Sequence, residues 1–170
     1  MLVVRDKLYF YVSGRAGVDG SSQSGVSTTG LATLRRDGFA SMDAAGKEGT
    51  LTTRAVRFTG EHLFVNVAAG SGELRVELLD ERNRVIVPFT RKNSMALRGD
   101  VTIAEMKWKS RKDLASLAGK PVKFRFHLKN GRLYSFWITP DSNGASHGYV
   151  AAGGPGFTGP TDTVGIAAYR

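Results

Sequence analysis

The side chains that could do chemistry are few and scattered. The chain has no Cys, which removes thiolate nucleophiles, thiolate metal sites and disulfides. Its three histidines, His62, His127 and His147, share none of the short spacings that set two imidazoles on one metal. They read as surface histidines, and no metal or cofactor is expected. Gly153-Gly154-Pro155-Gly156 lacks the Lys-Ser or Lys-Thr that completes a phosphate loop. Glycoside hydrolysis needs two carboxyl groups facing across a sugar. The acids Glu61, Glu73, Glu77, Asp80, Glu81, Asp100 and Glu105 stand beside Lys and Arg in charge-alternating strands or turns. They read as solvated faces, and no catalytic residue is expected.

The aromatic residues point to contact rather than catalysis. Alternation in RLYSFWI puts Tyr134, Phe136 and Ile138 on one face and Leu133, Ser135 and Trp137 on the other. With the first group in the core, Trp137 either faces outward as a sugar-stacking platform or lies covered by the glycine-rich tail. Trp137, Tyr149 and His147 are the candidate carbohydrate contacts.

Formal net charge is +9, and the excess is concentrated between Glu105 and Arg132. Lys107, Lys109, Arg111, Lys112, Lys123, Arg125 and Lys129 are a candidate basic patch with weak, salt-sensitive affinity for polyanions. No aromatics are interleaved with them on the same face, so nucleic acid is not an expected partner.

Strands must position these residues. HLFVNV, ELRVELLD, VTIAEMKW and VKFRFHLK alternate apolar with polar residues, the pattern of antiparallel strands with one buried face. Leu31 to Arg35 and Phe39 to Met42 read as a hairpin around Arg36-Asp37-Gly38, and Asn130-Gly131 reads as a second hairpin turn. SGRAGVDGSSQSGVSTTG reads as a long loop. A helical turn is expected near Asp113 to Gly119, stopped by Gly119 and Pro121. About ten to twelve short strands with such turns predict an all-β fold, an antiparallel two-sheet β-sandwich of jelly-roll or concanavalin-like type. The apolar runs are too short for a membrane-spanning helix.

Three stretches resemble a known family. KLYFYVSGRAG with STTGLATLRRDGFASMDA is similar to the closing propeller strands of proteins related to glycosyl hydrolase family 32. GTLTTRAVRFTGEHLFVNVAAGSGELRVELLDERNRVI resembles the first strands of the following β-sandwich, and PVKFRFHLKNGRLYSFWI its last hairpin. The resemblance implies a partial propeller blade over residues 1–47, a sandwich over 48–139 and a packed glycine-rich tail over 140–170. In that family the propeller carries the active site, and its nucleophile, Arg-Asp-Pro and Glu-Cys motifs have no counterpart here; Arg5-Asp6 is followed by Lys7. The implied role is a non-catalytic accessory sandwich of a glycoside-hydrolase-like protein, the chain resembling a fragment, a truncated gene product or a short relative. A missing propeller or another chain would partner the N-terminal strands, with glycan and a second copy of the chain as further partners. A free-standing lectin-like module and a polyanion-binding domain are the alternatives. The start, MLVVRDKLYFYV, does not read as a signal peptide; an exported parent would place the domain in the periplasm or outside the cell.

Overall fold

A computed structural model describes residues 1–17, 24–110 and 113–169. Nine antiparallel strands and two short 3₁₀ turns make up its regular structure: β1 (Leu2–Val4), β2 (Lys7–Gly17), β3 (Ser24–Arg35), β4 (Met42–Ala44), β5 (Gly49–Thr52), β6 (His62–Leu79), β7 (Leu97–Glu105), β8 (Lys123–Lys129) and β9 (Gly131–Thr139). The 3₁₀ turns are Ala115–Leu117 and Gly165–Tyr169. The fold is all-β, as the alternation predicts. No described helix is long and apolar enough to cross a membrane.

β1, β2 and β3 form a three-stranded sheet; the other six strands form a second sheet. Its centre is the 18-residue β6. HLFVNV and ELRVELLD are therefore one strand, not two separated by a turn. Along one edge, β6 pairs with β9 through His62 to Ala68 and then with β8 through Glu73 to Leu79. β7 occupies the other edge, opposite Phe64 to Leu74. The partners of β6 run from Thr139 down to Lys123 as β6 advances, so β8 and β9 continue each other in the same direction.

This corrects the hairpin expected at Asn130-Gly131. A two-residue reversal of that type needs positive φ at both central residues. Asn130 has φ 44°, but Gly131 is not in the left-handed region. The pair kinks a long strand instead. Gly72 faces the kink so closely that a Cβ there would sit 1.8 Å from the Lys129 carbonyl oxygen.

The hairpin expected at Arg36-Asp37-Gly38 is also absent. β3 ends at Arg35 in the three-stranded sheet, while β4 pairs with β9 in the six-stranded one. Asp37, at φ 52°, lies where the chain passes between sheets. Residues 18–23 of the expected Gly/Ser loop lie outside the described residues, and its described flanks are strand: Ser13, Gly14 and Arg15 pair with Thr29, Thr28 and Ser27 in an extended β2–β3 ribbon. Thr and Ser tolerate strand geometry, and both faces of this part are solvent-exposed, so no apolar alternation was available to signal it.

The main core is built from Leu63, Val65 and Val67, from Leu74, Val76 and Leu78, and from Phe124, Phe126 and Leu128, with Met106 and Trp108. Trp108 donates its indole N–H to the Val76 carbonyl at 3.0 Å, satisfying a polar group deep in the core. One parity expectation fails. A bulge between Asn66 and Val67 leaves Tyr134 unpaired in the β6–β9 register. Leu133 thereby enters the core with Phe136 and Ile138, while Tyr134 lies under the Arg35 guanidinium, 4.6 Å from ring centre to Cζ. An extra residue in one strand shifts side-chain direction beyond it.

A smaller core joins Val3, Leu8 and Val150, with Phe10, Leu34 and Phe157 packed against it. The Val3 N–H donates to the Gly153 carbonyl at 2.8 Å. The C-terminal segment is thus stitched to the three-stranded sheet.

Candidate functional site: an aromatic cleft beside a buried arginine

The passage between sheets carries two consecutive arginines. Arg35 faces the six-stranded sheet. Its Nε donates to Asn66 Oδ1 at 2.6 Å, Nη2 donates to the Val101 carbonyl at 2.8 Å, and Nη1 pairs with Asp100. Arg36 faces the C-terminal segment. Its Nη2 donates to Asp162 Oδ2 at 2.7 Å, and its guanidinium lies 5.4 Å from the Phe157 ring centre and 5.8 Å from that of Tyr169. Asn66 Nδ2 donates to the Arg36 carbonyl at 2.6 Å, so the buried Asn66 ties both arginines to β6.

Asp162 is fully buried. Burial pushes its carboxyl up, but the Gly165 N–H, the Arg36 charge and the Val164 N–H outweigh burial and hold it below the usual range. Burial also raises the Tyr169 hydroxyl, against the opposing hydrogen bond with Thr102 and the Arg36 charge.

Above this junction lies a cleft of about 330 Å³ between β9, the three-stranded sheet and the C-terminal segment. Trp137, Tyr149, Phe39, Arg36 and Ser135 are among its lining residues. Trp137 stacks on Phe64 at 5.7 Å with the rings 17° from parallel, and its N–H donates to the Gly144 carbonyl at 3.1 Å. It is half-buried: the stacking ring belongs to β6, and the segment after β9 contributes the carbonyl that holds the indole N–H. Tyr149 is 77% exposed and Phe39 72%. Phe39 meets the edge of Phe10 at 6.4 Å. Two buried polar atoms among these lining residues have no protein partner: Arg36 Nη1 and Ser135 Oγ.

Two of the three candidate sugar contacts, Trp137 and Tyr149, therefore meet at one cleft. His147 does not line it; its Nε2 pairs with Asp141. Phe39, Arg36 and Ser135 were not singled out by sequence. A pair of arginines directly after the apolar LATL was the available signal, since charge at a strand end beside apolar residues often needs a partner.

The described members of the candidate basic patch have different partners. Lys107 pairs with Glu105 at 2.9 Å. Lys123 Nζ reaches Asn83 Oδ1 at 2.7 Å. Arg125 pairs with Glu77 at 3.2 Å. Lys129 is exposed opposite Glu73 in the register. Lys109 lines a different cleft, with Arg75, Arg91 and Lys92. Arg111 and Lys112 lie outside the described residues.

Glu77 is buried, not solvated. His127 is also buried, with Nε2 3.2 Å from Glu77 Oε1 and Nδ1 3.2 Å from Glu48 Oε1. Burial raises the Glu48 carboxyl, but hydrogen bonds from Arg91 and His127 outweigh it and lower its pKa. Glu73 and Asp80 are lowered as well, chiefly by a hydrogen bond from the Arg75 side chain and from the Arg84 backbone respectively. A general acid at neutral pH needs the opposite shift. Among the described residues no group of three or more His, Asp or Glu is placed to hold a metal ion. No protein-family model matches the chain, and comparison with curated proteins and with solved structures returns no significant match.

Proposed function

We propose that the chain is a non-catalytic accessory β-domain of a glycoside-hydrolase-like protein, supporting a neighbouring β body and touching glycan in the aromatic cleft. The observation that carries this reading is the cleft lined by Trp137, Tyr149 and Phe39 beside the unpartnered Arg36 Nη1 and Ser135 Oγ. Sugars offer apolar C–H faces to aromatic rings and hydroxyls to polar groups, and a pocket with both kinds of lining suits them. The Trp137 ring is held by Phe64 and Gly144, so little order would have to be gained on binding.

Affinity electrophoresis through gels containing neutral polysaccharides tests the glycan contact. The native chain should be retarded by at least one neutral glycan, and Tyr149→Ala and Phe39→Ala should each abolish most of the retardation. Equal mobility of native and variant chains in every gel would overturn the reading. Turnover of aryl glycosides that is lost on mutating one carboxylate would overturn its non-catalytic part.

A self-associating module is favoured by a separate observation. β3 forms an edge of its sheet, and Tyr11, Val12 and Leu31 on the ribbon are exposed. Open strand edges recruit further strands. Sedimentation equilibrium separates the two: a dimer broken by Leu31→Lys supports self-association, and a monomer at high concentration supports an accessory domain awaiting another body.

A further inference from the structure

The second cleft of interest is basic. On the face of β6 opposite Val76, Arg75, Arg91, Lys92 and Lys109 line a recess of about 590 Å³ with one acid, Glu73. Its floor is fixed. Ser94 is fully buried; its Oγ accepts from the Val76 N–H at 3.0 Å, and its carbonyl accepts from Arg75 Nη1 at 2.6 Å. The Lys109 N–H donates to the Asn93 carbonyl at 2.9 Å, which sets Lys109 beside the segment carrying Lys92.

The acid is already engaged. Glu73 accepts from Arg75 Nε at 2.9 Å and from Arg98 Nη2 at 2.6 Å. Arg91 pairs with Glu48. Lys92 and Lys109 are exposed, and among the described residues neither has an ion-pair partner. Two unmatched ammonium groups thus share a recess with an arginine whose fork is held by backbone and carboxylate.

The geometry points to a binding site for the anionic groups of an acidic polysaccharide, sulfate esters or uronate carboxylates, held between Lys92, Lys109 and Arg75. A recess accepts a substituent projecting from a flexible chain. A nucleic acid is a poorer fit, because no aromatic ring lines the recess to stack a base. The site shares no lining residue with the aromatic cleft, so either can fail without the other.

The test is binding of the full chain to immobilised heparin, polygalacturonate, neutral dextran and a duplex oligonucleotide across a salt series. Heparin supplies sulfate esters and polygalacturonate supplies carboxylates, and the stronger of the two identifies the group recognised. Lys92→Ala/Lys109→Ala should weaken that binding about tenfold and lower the salt slope by about two ions, as expected when two cations leave a polyanion contact. Arg5→Ala/Lys7→Ala, which removes the same net charge from exposed positions in the β1–β2 turn and at the start of β2, should leave it within about twofold. Equal losses in the two double variants would show diffuse electrostatics and overturn the site. So would failure of both acidic polysaccharides to bind, or tighter binding to the duplex with the same Lys92 and Lys109 dependence.

Discussion

Arg36 Nη2 and Asp162 Oδ2 lie 2.7 Å apart across 126 positions of sequence, with both residues buried. This pair, the Val3–Gly153 hydrogen bond and the Val3, Leu8, Val150 cluster hold the C-terminal segment on the three-stranded sheet. Removing one partner of a buried ion pair strands the other charge and typically costs about 3–5 kcal/mol. Asp162→Ala should therefore free the segment while leaving the main core folded. Hydrogen exchange should show lost protection at Val3, His147 and Val150, with Val76 and Phe126 unchanged. Uniform loss across all five amides would mean that the segment and the core unfold as one unit.

Acid should loosen the same junction. The Asp162 carboxyl is lowered in the folded state, so the unfolded chain binds the extra proton in that range and stability rises with pH there. The contribution is complete above the unfolded value of about 3.9 and is lost as pH falls through the folded value. Glu48 and Glu73 are lowered too and act in the same direction. Stability followed by denaturant melts should fall below about pH 4, and Asp162→Asn should show a shallower fall from a lower starting point. An unchanged slope would assign acid sensitivity to other carboxylates.

The core and the aromatic cleft separate in a three-variant comparison. Phe126 is fully buried against Phe136, with ring centres 4.8 Å apart, and Phe126→Ala should cost about 3–5 kcal/mol. Lys129 is exposed, and Lys129→Ala should change stability by less than about 0.5 kcal/mol. Trp137→Ala loses the Phe64 stack and the Gly144 hydrogen bond from a half-buried position, so it should fall between them at about 2 kcal/mol. Urea melts give all three, and a Trp137 effect as small as that of Lys129 would show that the Phe64 stack contributes nothing.

Glycines on β6 give a local test of the kink at Asn130-Gly131. A Cβ at Gly72 would stand 1.8 Å from the Lys129 carbonyl oxygen and 2.6 Å from that of Asn130, both backbone atoms, whereas a Cβ at Gly70 meets nothing within 4 Å. Gly72→Ala should destabilise by about 3 kcal/mol or more, and Gly70→Ala by less than about 0.5 kcal/mol. Similar melts for the two would show that the kink yields without strain.

Alternation in the sequence located the buried faces well where one side of a strand meets the core and the other meets water. Phe124, Phe126 and Leu128, or Leu74, Val76 and Leu78, lie where period two places them. It was blind to connectivity. Asn130-Gly131 has the composition of a reversal, but the choice between reversing and kinking rests on close backbone approach at Gly72, some sixty residues away. Tyr134 left its expected face because β9 has one residue more than its partner at that point, a property of the pair rather than of either strand. The cleft was half legible: Trp137 and Tyr149 are conspicuous aromatics, whereas Arg36 and Ser135 acquire their meaning only when Asp162 and Asn66 are brought beside them. His127 and Glu77 looked wet because they alternate with core residues, yet both are buried, 3.2 Å from each other.

The long pairing of β6 also sets an order of events during synthesis. β2 can pair with β3 as soon as residue 35 has emerged. β6 ends at Leu79, but its partners on one edge begin at Leu97 and on the other at Lys123. At typical synthesis rates of about 5–20 residues per second, an apolar strand of HLFVNVAA and ELRVELL waits for seconds with both edges open. Such a segment invites pairing with other nascent chains. The ionic residues Glu73, Arg75 and Glu77 interrupt the apolar run on its outer face. Charges interrupting an apolar strand oppose its association with other unpaired strands, so these three residues have a physical consequence before the fold is complete as well as their contacts within it.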